Sequence, residues 1–247
     1  MYQSTKAFAE VNDDIIIWRY MDFASFCYLL VKKTLFFKRL DKHSDQLEGT
    51  ILEETKSLML KYRKAFQLTT ELEAEKWVEN FVSGVEQDKP NILSNSWIMS
   101  NNESYSMWKI YLHGSNEGIA LKTTVGKLKK CFIDDNYKIY ISKVSYETLD
   151  ANNINQYSVG TNKSKPYIYE NELRAIILTQ FKMLDNKKTA KFEIGTDVFV
   201  GLEILLDVIH ISPFSGNWFQ TVVTDVVKKY VPTFNVANLI NSTIKDQ

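Results

Sequence analysis

Two groups of residues in this chain have types and spacings that suit chemistry at a site, and a third suits a nucleic-acid surface. Glu170-Asn171-Glu172 followed by Arg174 sets two carboxylates and a guanidinium at alternate positions. On a strand, the period of two places all three on one face, where one carboxylate can hold a hydroxyl and the other can take up a proton. On a helix, Glu170 and Arg174 would instead be an i, i+4 pair on a solvated surface. Asp41, Asp45 and Glu48 stand at i, i+4 and i+7. Carboxylates along one helical ridge can hold Mg²⁺ beside a phosphate, although Asp45 and Glu48 also explain each other as a D-x-x-E capping box. Lys32, Lys33, Lys38 and Arg39, interleaved with Phe36 and Phe37, give a local basic and aromatic surface.

Other reactive residues point to less. His43 falls in a turn and His210 in an apolar run, so His113 beside Gly114 is the histidine to watch as a general base. Ser96, Ser100 and Ser104 lack the G-x-S-x-G setting of a hydrolase nucleophile, and no glycine-rich loop follows a strand to cradle phosphate. Two cysteines and three scattered histidines exclude the usual C-x-x-C and H-E-x-x-H zinc motifs. Only four of the 30 basic residues are arginine: Arg19, Arg39, Arg63 and Arg174. In so lysine-rich a chain, a retained arginine hints at a need for its planar five-donor fork.

These residues must be positioned by elements that the sequence also marks. Ile15 to Trp18 reads as a first strand ending in Arg19-Tyr20, and Asp22 caps a helix with Phe23, Phe26, Cys27 and Leu30 on its face. Thr34 to Phe37 is a second strand. The Asp45-Gln46-Leu47-Glu48 box should start a long helix to about Phe66, and Thr70-Glu71-Leu72-Glu73 repeats the device. Ala74, Trp77, Val78, Phe81, Val82 and Val85 form the stripe of the helix behind it, which Asp88-Lys89-Pro90 ends. Ile92 to Met99 is strand-like. Ser100 to Glu103 is a third box, leading a short helix that presents Ser104, Met107, Trp108 and Tyr111. Strands are expected at Glu117 to Thr123, Tyr137 to Tyr146, Glu170 to Leu178 and Val208 to Ile211. Residues 150–166 read as a mobile loop, and a last helix runs on from Ser215.

Composition bounds the class. The 247 residues carry 30 acidic and 30 basic groups, 45% hydrophobic and 13% aromatic residues, with nine Gly and four Pro. That is enough for a full core, and it excludes collagen-like, low-complexity and disulfide-framework chains. A net charge of zero lacks the basic footprint of most nucleic-acid binders, though a nucleic-acid partner stays open. No leader or membrane-spanning run is evident, and two cysteines fit a reducing compartment. The expectation is one cytoplasmic α+β domain over 1–247, with a central mixed or antiparallel sheet, flanking helices and a two-helix insert at about 45–90.

Several segments in order carry a family resemblance. They are Trp18-Arg19-Tyr20, Arg39-Leu40-Asp41 with Asp45 and Glu48-Gly49, Ser96-Trp97, and Glu103-Ser104 through Met107-Trp108 to Tyr111. Glu117-Gly118-Ile119-Ala120, Glu172-Leu173-Arg174-Ala175-Ile176 and Ser212-Pro213-Phe214 follow. Together these resemble the bacterial family catalogued as domain of unknown function 2971, from about residue 15 to 235. Gln46 and Leu47 stand where that family usually has a Pro and an aromatic. The family name implies no activity. A second likeness does. Arg19 on an early strand, Ser96 on a second and Glu170-Asn171-Glu172 on a later one are similar to the motifs of ADP-ribosyltransferases, which use NAD without a metal. On that likeness Glu172 would hold the ribose 2′-OH as the nicotinamide–ribose bond breaks through an oxocarbenium-like state. Glu170 would orient or deprotonate the acceptor. Arg19 would fork onto the pyrophosphate, and Trp97 or Tyr111 would stack on nicotinamide, with Ser96, Trp108 and Arg174 completing the NAD site. Glu172→Gln would then abolish nicotinamide release with little change in melting temperature, and Arg19 and Glu172 must face one cleft. Two alternatives remain: metal-dependent phosphoryl or nucleic-acid chemistry at Asp41, Asp45 and Glu48, and a non-catalytic interaction domain. The acceptor and the oligomeric state are not encoded in any motif.

Overall fold

The computed structural model describes residues 1–43, 45, 48–65, 70–150, 154–180, 182–184 and 187–244, with backbone alone at 63–65, 182–184 and 187–188. Along the chain run β1 (Ile16–Asp22), α1 (Phe23–Lys32), β2 (Thr34–Arg39), α2 (Glu53–Ala65), α3 (Glu71–Asp88), β3 (Ile92–Met99) and α4 (Tyr105–Leu112). Next come β4 (Gly118–Thr124), α5 (Val125–Cys131), β5 (Tyr140–Lys143), α6 (Gln156–Gly160), β6 (Glu172–Leu178), β7 (Lys182–Leu184) and β8 (Lys187–Thr189). The chain finishes with β9 (Gly195–Phe199), α7 (Leu202–Leu205), β10 (Val208–Ile211), α8 (Asn217–Tyr230) and β11 (Leu239–Asn241). The fold is α+β. Among the described residues no helix is long and apolar enough to cross a membrane.

Among the described residues nine strands make one mixed sheet, antiparallel throughout except where β10 meets β11. One edge of β3 is paired with β6 along its length, from Ile92↔Leu178 to Ile98↔Glu172, and β5 lies beyond β6. The other edge is divided. Its first residues pair with β2 (Arg39↔Leu93, Lys38↔Ser94) and its last with β1 (Trp18↔Ile98, Ile17↔Met99). The β1 branch continues through β4, β10 and β11, and the β2 branch through β9. The sheet therefore forks at Asn95 to Trp97 of β3.

Alternation along the strands separates two environments. Ile17 and Met21 of β1, Leu93 and Trp97 of β3 and Leu173, Ala175 and Ile177 of β6 enter the main core. Helices α1, α5, α7 and α8 contribute to that core through residues such as Phe26, Leu128, Leu205 and Phe219. Trp18, Tyr20 and Ile98 belong to a second cluster with Met107, Trp108 and Leu112 of α4. Asp22 caps α1, accepting from Ser25 N at 2.6 Å, but Leu29 takes the buried place expected of Cys27, which is half-buried. The capping box at Thr70 and Glu73 is complete, and α3 buries Ala74 and Val78 of its stripe while Trp77 stacks on Phe81 nearer the surface.

Two of the three expected boxes are corrected. Residues 46 and 47 of the Asp45–Glu48 box, and Phe66 at the far end of its helix, lie outside the described residues. Glu48 itself sits in a turn, five residues before α2 begins, and its carboxylate is taken by Arg174. Ser100 is not a cap either. Ser104 caps α4, while Glu103 accepts from the Trp108 indole at 2.6 Å and from Thr243 N at 3.3 Å. Strand β5 is shorter than the Tyr137 to Tyr146 expected. Within 150–166, residues 151–153 lie outside the described set, and 156–160 form α6, capped by Asn155. Glu170 ends a 3-10 turn (Lys165–Glu170), and Asn171 at φ 41° separates it from β6. A left-handed conformation is one that Asn tolerates better than most residues.

Candidate active site at the fork of the sheet

The fork leaves backbone of β3 without a strand neighbour on one side, and side chains fill the place. Asn95 Nδ2 donates to Phe36 O of β2 at 3.0 Å. Arg19 Nη1 of β1 donates to Ser96 O at 2.6 Å, with its guanidinium 5.9 Å from the centre of the Trp97 ring. Arg19 thus bridges the gap because a buried carbonyl there needs a donor. Beside it lies a cavity of about 410 Å³ whose walls include Arg19, Ser96, Tyr111, Glu170, Glu172 and Arg174. A second hollow of about 670 Å³ adjoins it and shares Arg19, Tyr20, Phe36, Tyr111 and His113. Both volumes suit small-molecule sites.

Glu172 is the centre of the charge network. Arg174 Nε donates to its Oε1 at 2.6 Å and Nη2 to its Oε2 at 3.1 Å. Lys163 Nζ lies 3.4 Å from the same Oε2 and 2.7 Å from Glu170 Oε2. Glu172 N donates to Tyr146 Oη at 2.9 Å, and Ser96 of β3 lines the cavity beside it. Burial raises the Glu172 carboxyl above its usual range, and Lys163 and Ser96 pull against that rise. Arg174 has no exposed surface. Its other donors go to Glu48 and, at 3.0 Å, to Gly160 O. Burial draws its guanidinium down to about 9, still charged at neutral pH. Burial opposes the Lys163 charge too, but Glu172 and Glu170 outweigh it and hold the ammonium above its ordinary value.

Behind Arg174, His43 Nδ1 lies 3.3 Å from Glu48 Oε2 and Nε2 lies 3.0 Å from Ser94 Oγ. A neutral ring donating to Glu48 and accepting from Ser94 fits both contacts. Burial, then the charges of Arg174, Lys38 and Lys163, depress this imidazole to about 3. Gly49, at φ 66°, makes the turn that carries Glu48 inward, and a Cβ there would lie 2.5 Å from Leu40 Cδ2.

Of the residues expected at the site, Arg19, Ser96, Tyr111, Glu170, Glu172 and Arg174 line one cavity. Trp97 and Trp108 do not. The Trp97 ring is in the main core with its Nε1 on Asn95 Oδ1 at 2.8 Å, and Trp108 packs edge-on against Tyr20. Aromatic lining comes instead from Trp18, Tyr20, Phe36, Tyr111, Tyr167 and Tyr169. Arg174 is enclosed by its own partners, so it orients Glu172 rather than reaching a ligand. The alternative metal set is split: Asp45 and Glu48 line the cavity, whereas Asp41 is held by Arg39 at 2.6 Å. Among the described residues no group of three or more His, Cys, Asp and Glu converges as metal ligands do.

Lys163, His43 and Tyr146 are additions that no motif announced. A larger cavity, about 970 Å³ beside α3 and α6, is lined largely by apolar residues such as Phe81, Val85, Ile92 and Val159. It lacks the converging charges that make the fork the better candidate. No protein-family model, curated protein or solved structure matches the chain significantly.

Proposed function

We propose that the chain cleaves the nicotinamide–ribose bond of NAD in the manner of the ADP-ribosyltransferases, and that it belongs with the bacterial domain of unknown function 2971 family. The observation that carries this reading is the meeting of Arg19, Ser96 and Glu172 at one cavity, although 153 positions separate the first from the last. Bound NAD supplies the glycosidic bond to be broken. Glu172 accepts a hydrogen bond from the ribose hydroxyl and stabilises the positive charge that grows on the sugar. Arg174 holds that carboxylate in place through direct bonds, and Ser96 lines the cavity beside it. Arg19, which lines both hollows, offers a cation to the pyrophosphate. Tyr111 offers its ring to the nicotinamide, and Glu170 takes the acceptor proton.

The test is nicotinamide release from NAD by the purified chain, with and without lysate as a source of acceptor. Glu172→Gln should lower release about 10²–10⁴-fold. Because Glu172 is bonded to Arg174 and Lys163, the substitution should also lower the melting temperature, so a folded far-UV spectrum must accompany it. Lysate dependence separates transfer from hydrolysis. No release by the wild type under either condition defeats the reading and favours an interaction domain.

A further inference from the structure

Lys163 enters the site from the turn after α6 with its side chain 10% exposed. The turn is tied down from behind: Lys163 N donates to Ser145 O at 3.0 Å, and Asn162 Nδ2 donates to Glu147 O at 2.8 Å. Backbone bonds therefore deliver the ammonium to a fixed place. There it touches Glu170 and Glu172 and lies 4.6 Å from the centre of the Tyr167 ring. Two carboxylates within reach of one nitrogen repel each other, and one of them takes a proton unless a cation lies between them. Arg174 does not fill that role, since its bonds go to Glu172, Glu48 and Gly160 O.

We propose that Lys163 is a positioning residue that bridges Glu170 and Glu172, keeping Glu172 ionised and aimed into the cavity so that it meets a substrate hydroxyl as an acceptor. The role rests on Glu172 being the reacting carboxylate, as read above. Other groups face Glu172 as well. Arg174 and Glu170 flank it, Ser96 comes from β3, Arg19 from β1, Tyr111 from α4, and Tyr146 from the segment after β5. Asp45, Glu48 and His43 act on it through Arg174. Among the described residues, Lys163 is the cation bonded to both carboxylates.

A ¹³C titration of the glutamate carboxyls in the full chain reads this without turnover, with Glu172 assigned by its absence in Glu172→Gln. Lys163→Met should raise the Glu172 midpoint by about one pH unit or more, a tenfold change in its ionisation, and Lys163→Arg should restore the wild-type midpoint. An unmoved midpoint in Lys163→Met overturns the proposal. If that variant does not fold, Glu170→Gln decides. Removing the like charge leaves Lys163 to Glu172 alone, so the midpoint must fall, and an unmoved one overturns the proposal. Where the wild type releases nicotinamide, the acid limb of its pH–rate profile should move upward with the midpoint in Lys163→Met. A uniform loss of rate without that movement would mean Lys163 is merely structural. Absence of release by the wild type defeats the proposed function, and the titration still decides Lys163.

Discussion

Arg39 and Arg174 each grip a carboxylate two positions away, Asp41 and Glu172, and both do so with Nε and Nη2. Around Arg39 the side chains remain 12% and 25% exposed, and the spare donors reach Phe192 O and Glu193 O. Around Arg174 almost nothing is exposed, and a second carboxylate is bonded. The same local chemistry thus serves two ends. Near the surface, water shares the charge and the pair fastens a chain end of β2 to the segment before β9. Inside, with water excluded, each charge depends on the next, so the group behaves as a unit. Burial of this kind is weak evidence for stability and stronger evidence for a role in placing Glu172.

The contrast is broken most severely by removing one partner from the inner group. Arg174→Met should cost about 3–5 kcal/mol, because Glu48 is left buried without its cation and Glu172 keeps Lys163 alone; urea melts would show it. Gly49→Ala should cost about 1–3 kcal/mol, from the positive φ and the contact with Leu40, and should disturb the site by displacing Glu48. The pH dependence follows from His43. Its folded-state value of about 3 lies below the ordinary 6.5, so the stability it contributes is present above pH 6.5 and is lost as pH falls towards 3. His43→Asn should flatten that limb by up to about 1.4 kcal/mol per pH unit, read from melts between pH 7 and 4. At the other pole, Asp41→Ala should cost no more than about 1 kcal/mol. A cost from Asp41→Ala equal to that from Arg174→Met would erase the distinction.

Local periodicity made much of the scaffold legible. The runs at 16–18, 34–37, 92–99 and 208–211 are strands because their apolar residues have sheet partners, and Asp22 and Thr70 are caps that accept from the backbone N–H three residues on. The misread boxes show what local reading leaves out. Asp45–Glu48 and Ser100–Glu103 have the same signature as Thr70–Glu73, but Arg174 lies 126 positions from Glu48 and offers its carboxylate a stronger bond than a helix start can. Glu103 goes likewise to Trp108 and Thr243. Alternation brought Glu172 and Arg174 onto one face, while Glu170 reaches the same place by the left-handed turn at Asn171, which no period describes. Lys163 stands in a polar stretch where a lysine carries no signal at all. The rings of Trp97 and Trp108 were attractive as stacking surfaces, yet their size makes them better core than lining.

The forked sheet also dictates how the molecule can come into being. Among the described residues no strand of this sheet is joined to a sheet neighbour by a tight hairpin, and β3, the branch point, draws its partners from residues 17–18, 38–39 and 172–178. Loop closures so long are slow to find. On the ribosome, β3 is complete at residue 99 but waits for β6 until residue 178 has been made, a delay of roughly 4–16 s at ordinary elongation rates. Throughout that interval its open edge is a place where a chaperone, or another nascent chain, can pair first.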